Sequence, residues 1–174
     1  TSDTDTDTDT DTDTDTDTDT DTDVDGDAMV RVVHLSPDAP NVDVYANGAA
    51  VGVDDVPFPA GSGYLTVSAG EYTFEVVPAG GAYPADAVST SLTATLDADM
   101  SYTAIAHGYL DTTNGSNAFA ITAFVNDRTP AATDNFKVQV VHAAAADAFA
   151  QVDIWDVTDS SNPVALIPDF DYGA

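Results

Sequence analysis

The run Val30-Arg31-Val32-Val33-His34 returns 108 residues later as Val138-Gln139-Val140-Val141-His142. Val42-Asp43-Val44-Tyr45 returns as Val152-Asp153-Ile154-Trp155 at an offset of 110, and Asp38 falls opposite Asp147 between the two anchors. A unit written twice must be able to fold in two places, so the fold is built on a short supersecondary element rather than on one long helix. Both runs are β-branched and bounded by turn formers, which predicts strands. The repeat therefore predicts that His34 and His142 are equivalent, as are Asp43 and Asp153. The second copy extends only to Ala174, and it serves either as part of a further repeat or as extra strands for the first copy's sheets.

The remaining pattern agrees with strands. The predicted strands are 30–35, 42–46, 49–53, 63–67, 71–77, 88–96, 101–107, 118–125, 136–142 and 151–157. No window carries a 3.6-residue apolar period, and the alanine-rich stretch 143–150 is the only helix-like segment. Asn47-Gly48 is a two-residue hairpin signal, since a type I′ turn needs positive φ at both positions. Leu96 stands six residues before Tyr102, the spacing of a tyrosine corner, in which a hydroxyl bonds back to upstream backbone where the chain crosses between sheets. Val67 to Tyr72 is a shorter version with Gly70 at the turn. The expected fold is an all-β, antiparallel immunoglobulin-like or fibronectin-III-like β-sandwich with an extended low-complexity N-terminal tail. Its expected divisions are a tail over 1–27, a first repeat over 28–130 and an incomplete second repeat over 131–174.

Charge limits the possible partners. The 174 residues carry 31 acids and 3 bases, a net charge of −28, and there is no cysteine. Nucleic acids and anionic lipid surfaces need a basic footprint, and a disulfide or thiolate site needs cysteine. No run approaches the roughly 20 apolar residues of a membrane helix. From Asp3 to Asp23 aspartate and threonine alternate strictly, which leaves nothing to bury. Stretched, 27 residues at roughly 3.3 Å each would reach about 90 Å. Such a tail is expected to be disordered alone and to become ordered by pairing within an assembly, by Ca2+ or by glycans. A chain beginning at Thr1 is expected to have lost a leader, a secretory signal being one candidate.

Val30 to Gly48, Tyr64 to Phe74 and Ser101 to Gly108 together resemble the domain of unknown function family numbered 4397, over roughly 28–174. The second copy is the more divergent, with an alanine run where the first has Ser36-Pro37-Asp38. The resemblance implies a secreted or surface-attached β-protein, often in tandem copies, and implies no activity.

Several constellations invite chemistry. Asp21, Asp23, Asp25, Gly26 and Asp27 reproduce the first half of a calcium loop, but Val32 stands where a bidentate glutamate belongs. Weak Ca2+ association is the reading, not a defined cofactor site. His34, Ser36 and Asp38 or Asp43 form the one sequence-local nucleophile set. The second copy keeps His142 and Asp147 without the serine, which points to a structural role, with His34 bonded to its own following turn and Asp38 accepting N–H groups there. His107 is a strand-end residue with no partner at zinc spacing. Trp155, Tyr64, Tyr83 and Tyr109 offer stacking faces for sugars, with core or hairpin packing the competing use of each. Asn114-Gly115-Ser116 is the one N-glycosylation sequon. The functional expectation is a non-enzymatic structural or adhesive module, extracellular or on the cell surface, that self-associates or binds other surface proteins. The alternatives are a filament subunit assembled by strand donation, and a Ca2+- or glycan-binding module.

Overall fold

The computed structural model describes residues 26–88 and 90–174. Among them are eleven strands and a single short 3₁₀ turn, with no α-helix. In β1 (Asp27–Leu35), Ala28, Val30, Val32 and His34 are buried on one face while Asp27 and Arg31 on the other are exposed. β2 (Val42–Ala46) buries Val42, Val44 and Ala46 by the same period of two.

One sheet is centred on β1. Along one edge β1 pairs with β5 (Leu65–Ser68) and then with the two-residue β4 (Ala60–Gly61). Along the other edge lies β8 (Ser101–His107), followed by β9 (Ala120–Val125). The second sheet runs β3 (Ala49–Ala50), β2, β6 (Gly70–Pro78) and β7 (Leu92–Leu96). The two sheets share a core: Val32, Ala104 and Ala106 of the first meet Val42, Val44 and Val76 of the second. A neighbouring cluster joins Ala28, Val30 and Tyr102 to Ala46, Phe74 and Leu96. Each fully buried Val, Leu or Phe side chain among these contributes roughly 1.5–3 kcal/mol relative to exposure, more than a typical polar contact at the surface.

The chain passes between the sheets at two tyrosine-pinned corners. After β7, the buried Tyr102 lets its hydroxyl oxygen accept the Asp97 N–H at 2.9 Å. After β5, the Tyr72 hydroxyl donates to the Ser68 carbonyl at 2.9 Å. The first corner explains one departure from expectation. The first sheet is mixed, because β1 and β8 run parallel, Met29 opposite Ser101 through Leu35 opposite His107. The Asp99 N–H donates to the Asp27 carbonyl and the Met29 N–H to the Met100 carbonyl, so both strands start at the same end of the sheet. Gly26 sits in this corner too, and a Cβ there would come within 2.6 Å of that of Ala98.

Other boundaries shift for local reasons. Gly52 (φ 72°) stops the 49–53 strand after Ala50, although Val51 and Val53 still exchange backbone bonds with Val44. Asn47 and Gly48 take the positive φ values that their turn requires. The predicted strand 136–142 does not form: no neighbouring strand is placed to take up its backbone groups, and Phe136 and Val138 are exposed. The alanine run yields only the 3₁₀ turn Asp147–Phe149. β10 (Gln151–Asp156) forms as expected and pairs with β11 (Val164–Asp171), which the sequence conceals behind Pro163 and Pro168. No described helix is long and apolar enough to cross a membrane.

Replacing Tyr102 with Phe should keep the packing and orphan the Asp97 amide. Denaturant unfolding is expected to lose about 1–2 kcal/mol with an unchanged m-value. A stability equal to wild type would show that the corner hydrogen bond is replaced by water at no cost.

Candidate functional site

The end of β1 organises a small polar centre. His34 is fully buried, its Nε2 3.1 Å from the Pro40 carbonyl oxygen, while its Nδ1 accepts the Ser36 N–H at 3.4 Å. Because Nδ1 accepts a backbone N–H, Nε2 carries the proton and donates to Pro40. The buried Ser36 hydroxyl donates to the Gly108 carbonyl at 2.6 Å. Gly108 holds φ 85° with the Ala118 carbonyl oxygen 2.2 Å from where a Cβ would stand, so only glycine lets the β8–β9 connection approach this closely. The imidazole thus holds the serine's backbone and not its hydroxyl, which lies 3.5 Å from an Asp38 carboxylate oxygen.

Asp38 corrects the expectation that it caps its own turn. Its carboxylate accepts the Leu110 and Asp111 N–H groups, each at 2.9 Å, and the Asn114 side-chain amide at 3.0 Å, all from the loop joining β8 to β9. Partial desolvation pushes the carboxyl up, but the Asp111, Leu110 and Asn114 donors outweigh it and hold it below the usual aspartate value. Asn114, the glycosylation candidate, is exposed, and its side-chain nitrogen is one of the donors that hold this loop.

The second copy repeats the imidazole and Asp43 bonds of the first, without the serine hydroxyl. His142 Nε2 lies 2.6 Å from the Phe149 carbonyl oxygen, and Nδ1 accepts the Ala144 N–H at 3.4 Å. Asp43 accepts the Asp55 N–H at 2.7 Å, and Asp153 accepts the Asp169 N–H at 2.9 Å, with Asp55 and Asp169 both at positive φ. Val42 bridges Val56 as Val152 pairs with Phe170. His34 pairs with Ala60, and His142 exchanges backbone bonds with Gly173 and Ala174. Even the ring packing recurs, Phe58 standing edge-on to His34 at 6.3 Å and Tyr172 to His142 at 6.1 Å.

Asp147 turns the same grip onto the far side of the β8–β9 loop, accepting the Ser116 N–H at 2.9 Å and its hydroxyl at 2.7 Å. The Ser116 hydroxyl and N–H hold that carboxyl below its usual value. The Asn117 amide donates to the Ala145 carbonyl, and Tyr172 reaches back to His107, whose Nδ1 is 2.5 Å from its hydroxyl. Sequence reasoning missed Phe58, Tyr172, Ser116 and Asn117; only Phe58 and Tyr172 left a signal, as aromatics at corresponding places in the two copies. Between the copies an open apolar cleft of about 410 Å³ is lined by Pro37, Phe58, Pro59, Tyr109, Phe149 and the alanine run.

The remaining candidates do not converge. Asp21, Asp23 and Asp25 lie outside the described residues, and Asp27 is an exposed strand residue at the start of β1. Among the described residues no group of three His, Asp or Glu side chains is placed to hold a metal ion. Tyr83 stacks on Tyr45 at 4.4 Å and donates its hydroxyl to Glu75. Tyr109 packs on Gly115, Trp155 is half-exposed on β10, and Tyr64 lies on the outer face of the first sheet beside Arg31, so the four aromatics share no face.

These features define an all-β protein whose polar centres are repeated turn supports, with loops and strand faces as its outward surface. The chain belongs to the family described as Domain of unknown function (DUF4397), whose model matches residues 28–155. No curated protein matches the chain.

Burial lowers the ring pKa of His34 and of His107 below the ordinary 6.5. Both therefore favour folding fully above about pH 6.5 and lose that contribution as the pH falls below it, because the unfolded chain takes up protons first. Asp38 and Asp147 act in a lower window, stabilising above about 3.8 and releasing the loop as the pH drops further. Thermal melts from pH 8 to 5 should show a falling midpoint that flattens in His107→Gln. An unchanged slope in that variant would contradict the assignment.

Proposed function

We propose that this chain is a non-catalytic, self-associating structural or adhesive module that works outside the cell or at its surface. The observation that carries this reading is the set of exposed apolar side chains on the second copy. That copy repeats the turn supports of the first, yet Val30 is 2% exposed while its counterpart Val138 is 67% exposed, and the counterparts of Val32, Val42 and Val44 are only partly buried. Val164, Leu166 and Trp155 on the β10–β11 hairpin are exposed as well. Exposed apolar side chains favour association, because covering them recovers the burial that the first copy already enjoys.

The two packed sheets and paired tyrosine corners support a sandwich of the immunoglobulin-like or fibronectin-III-like kind, with the parallel β1–β8 pair as its departure. The run 136–141, which joins no sheet, favours one particular mode of assembly, in which a strand from a neighbour fills the place that β8 takes beside β1, building a filament. Family membership is compatible with a secreted or surface protein. The dispersal of the stacking aromatics gives the alternative glycan-binding reading less support, and the Ca2+ reading falls on the aspartate tail.

Analytical ultracentrifugation and negative-stain micrographs of the 174-residue chain in saline buffer test the proposal. Oligomers or filaments that grow with concentration are expected, and Val138→Asp should reduce them without lowering the melting temperature, since an exposed substitution costs little in the monomer. A chain that stays monomeric at every concentration would overturn the reading.

A further inference from the structure

In a chain of net charge −28, both arginines stand on one patch. Arg31 projects from the outer face of β1, and Arg128 follows β9. Their guanidinium carbons lie 5.2 Å and 5.8 Å from the centre of the exposed Tyr64 ring. Each is held in place: Arg31 Nε donates to Thr103 at 2.9 Å, Arg128 Nη1 donates to Ser101 at 3.2 Å, and the Asn126 amide fixes the Tyr64 hydroxyl at 3.1 Å. Among the described residues the only ion pair is Lys137 with Asp127, so neither arginine meets a carboxylate, although acids outnumber bases tenfold. A guanidinium has five N–H donors, and these two spend few of them. Two pre-positioned forks with free donors beside an aromatic face are built to receive carboxylates.

We propose that Arg31, Arg128 and Tyr64 form a carboxylate-binding site whose ligand is the Asp/Thr segment, residues 3–23, of a second copy of the chain. The inference rests on the self-association proposed above and names its contact. Charge complementarity selects the occupant: the segment carries aspartate at every second residue and no base. In an extended chain those carboxylates recur about every 7 Å on one face, a spacing that two groups sharing one ring can both meet. The choice of a second copy as the source follows from the self-association proposed above. The uniform repeat also lets the segment bind in many registers, which suits a polymer contact.

Sedimentation velocity of the full chain and of Arg31→Gln/Arg128→Gln, with melting temperatures as a fold control, gives the first readout. At least a tenfold weaker self-association in the variant is expected. The second readout needs no variant: a synthetic peptide of residues 3–23 is titrated into 15N-arginine-labelled full chain, with an Asp→Asn peptide as control. The Asp peptide alone should shift both arginine Nε–H signals and dissolve the assemblies. Self-association that survives the double substitution, or arginine signals blind to the peptide, overturns this inference and leaves the proposed function standing. Absence of any self-association in the unaltered chain overturns the proposed function instead. Arginine signals already at their bound position in dilute monomer would make the chain's own tail the occupant, overturning the second-copy assignment.

Discussion

Everything downstream of β1 depends on the buried imidazole of His34. A histidine with no exposed surface must satisfy both ring nitrogens inside the protein, and it does so with two backbone groups of the turn that follows it. That choice fixes the path of residues 35–40. It lays Ser36 against Gly108 and swings the Asp38 carboxylate out to meet the β8–β9 loop. One ring thereby ties together the end of a central strand, the crossing to the second sheet and a loop more than 70 residues away. The same device at His142, with Asp147 as its outer grip, lets the second copy dock on the opposite side of that loop.

The two copies illustrate what a local motif can and cannot do alone. Hydrogen bonds of turn and bridge are short-range, so they recur in the second copy wherever the residues recur. Burial is long-range. It requires the strands that flank β1 and β2, and among the described residues those have no counterparts around Val138 or Leu166, whose side chains are exposed. The half-copy is therefore held by polar clasps and one cleft of alanine, proline and aromatic side chains, not by a core of its own.

What the sequence made legible follows from the same distinction. Alternating valines set β1, β2 and β10, the Asn47-Gly48 turn set its hairpin, and the Leu96/Tyr102 interval set the corner, because each is decided by neighbours within a few residues. The parallel pairing of β1 with β8 was not legible, since it depends on backbone bonds between Asp27 and Asp99 across 72 residues. Nor was the failure of 136–142 to become a strand, because a strand pattern states a preference and only a partner can satisfy it. At the polar centre, the repeat marked His34, Asp38 and their counterparts as a recurring set. It could not show that Asp38 serves a distant loop, nor that Arg31 and Arg128 meet at Tyr64, since nothing local marks either meeting.

The account stands or falls on the two histidines being the same structural device. Nitrogen-15 NMR of the imidazole rings reads this directly, since the protonated and unprotonated ring nitrogens of a neutral histidine resonate far apart. At pH above 7, His34 and His142 should both be fixed in the form protonated at Nε2, with Nδ1 accepting the N–H two residues on. A second ring found protonated at Nδ1, or averaging between the two forms, would contradict the claim that the chain folds one turn support twice.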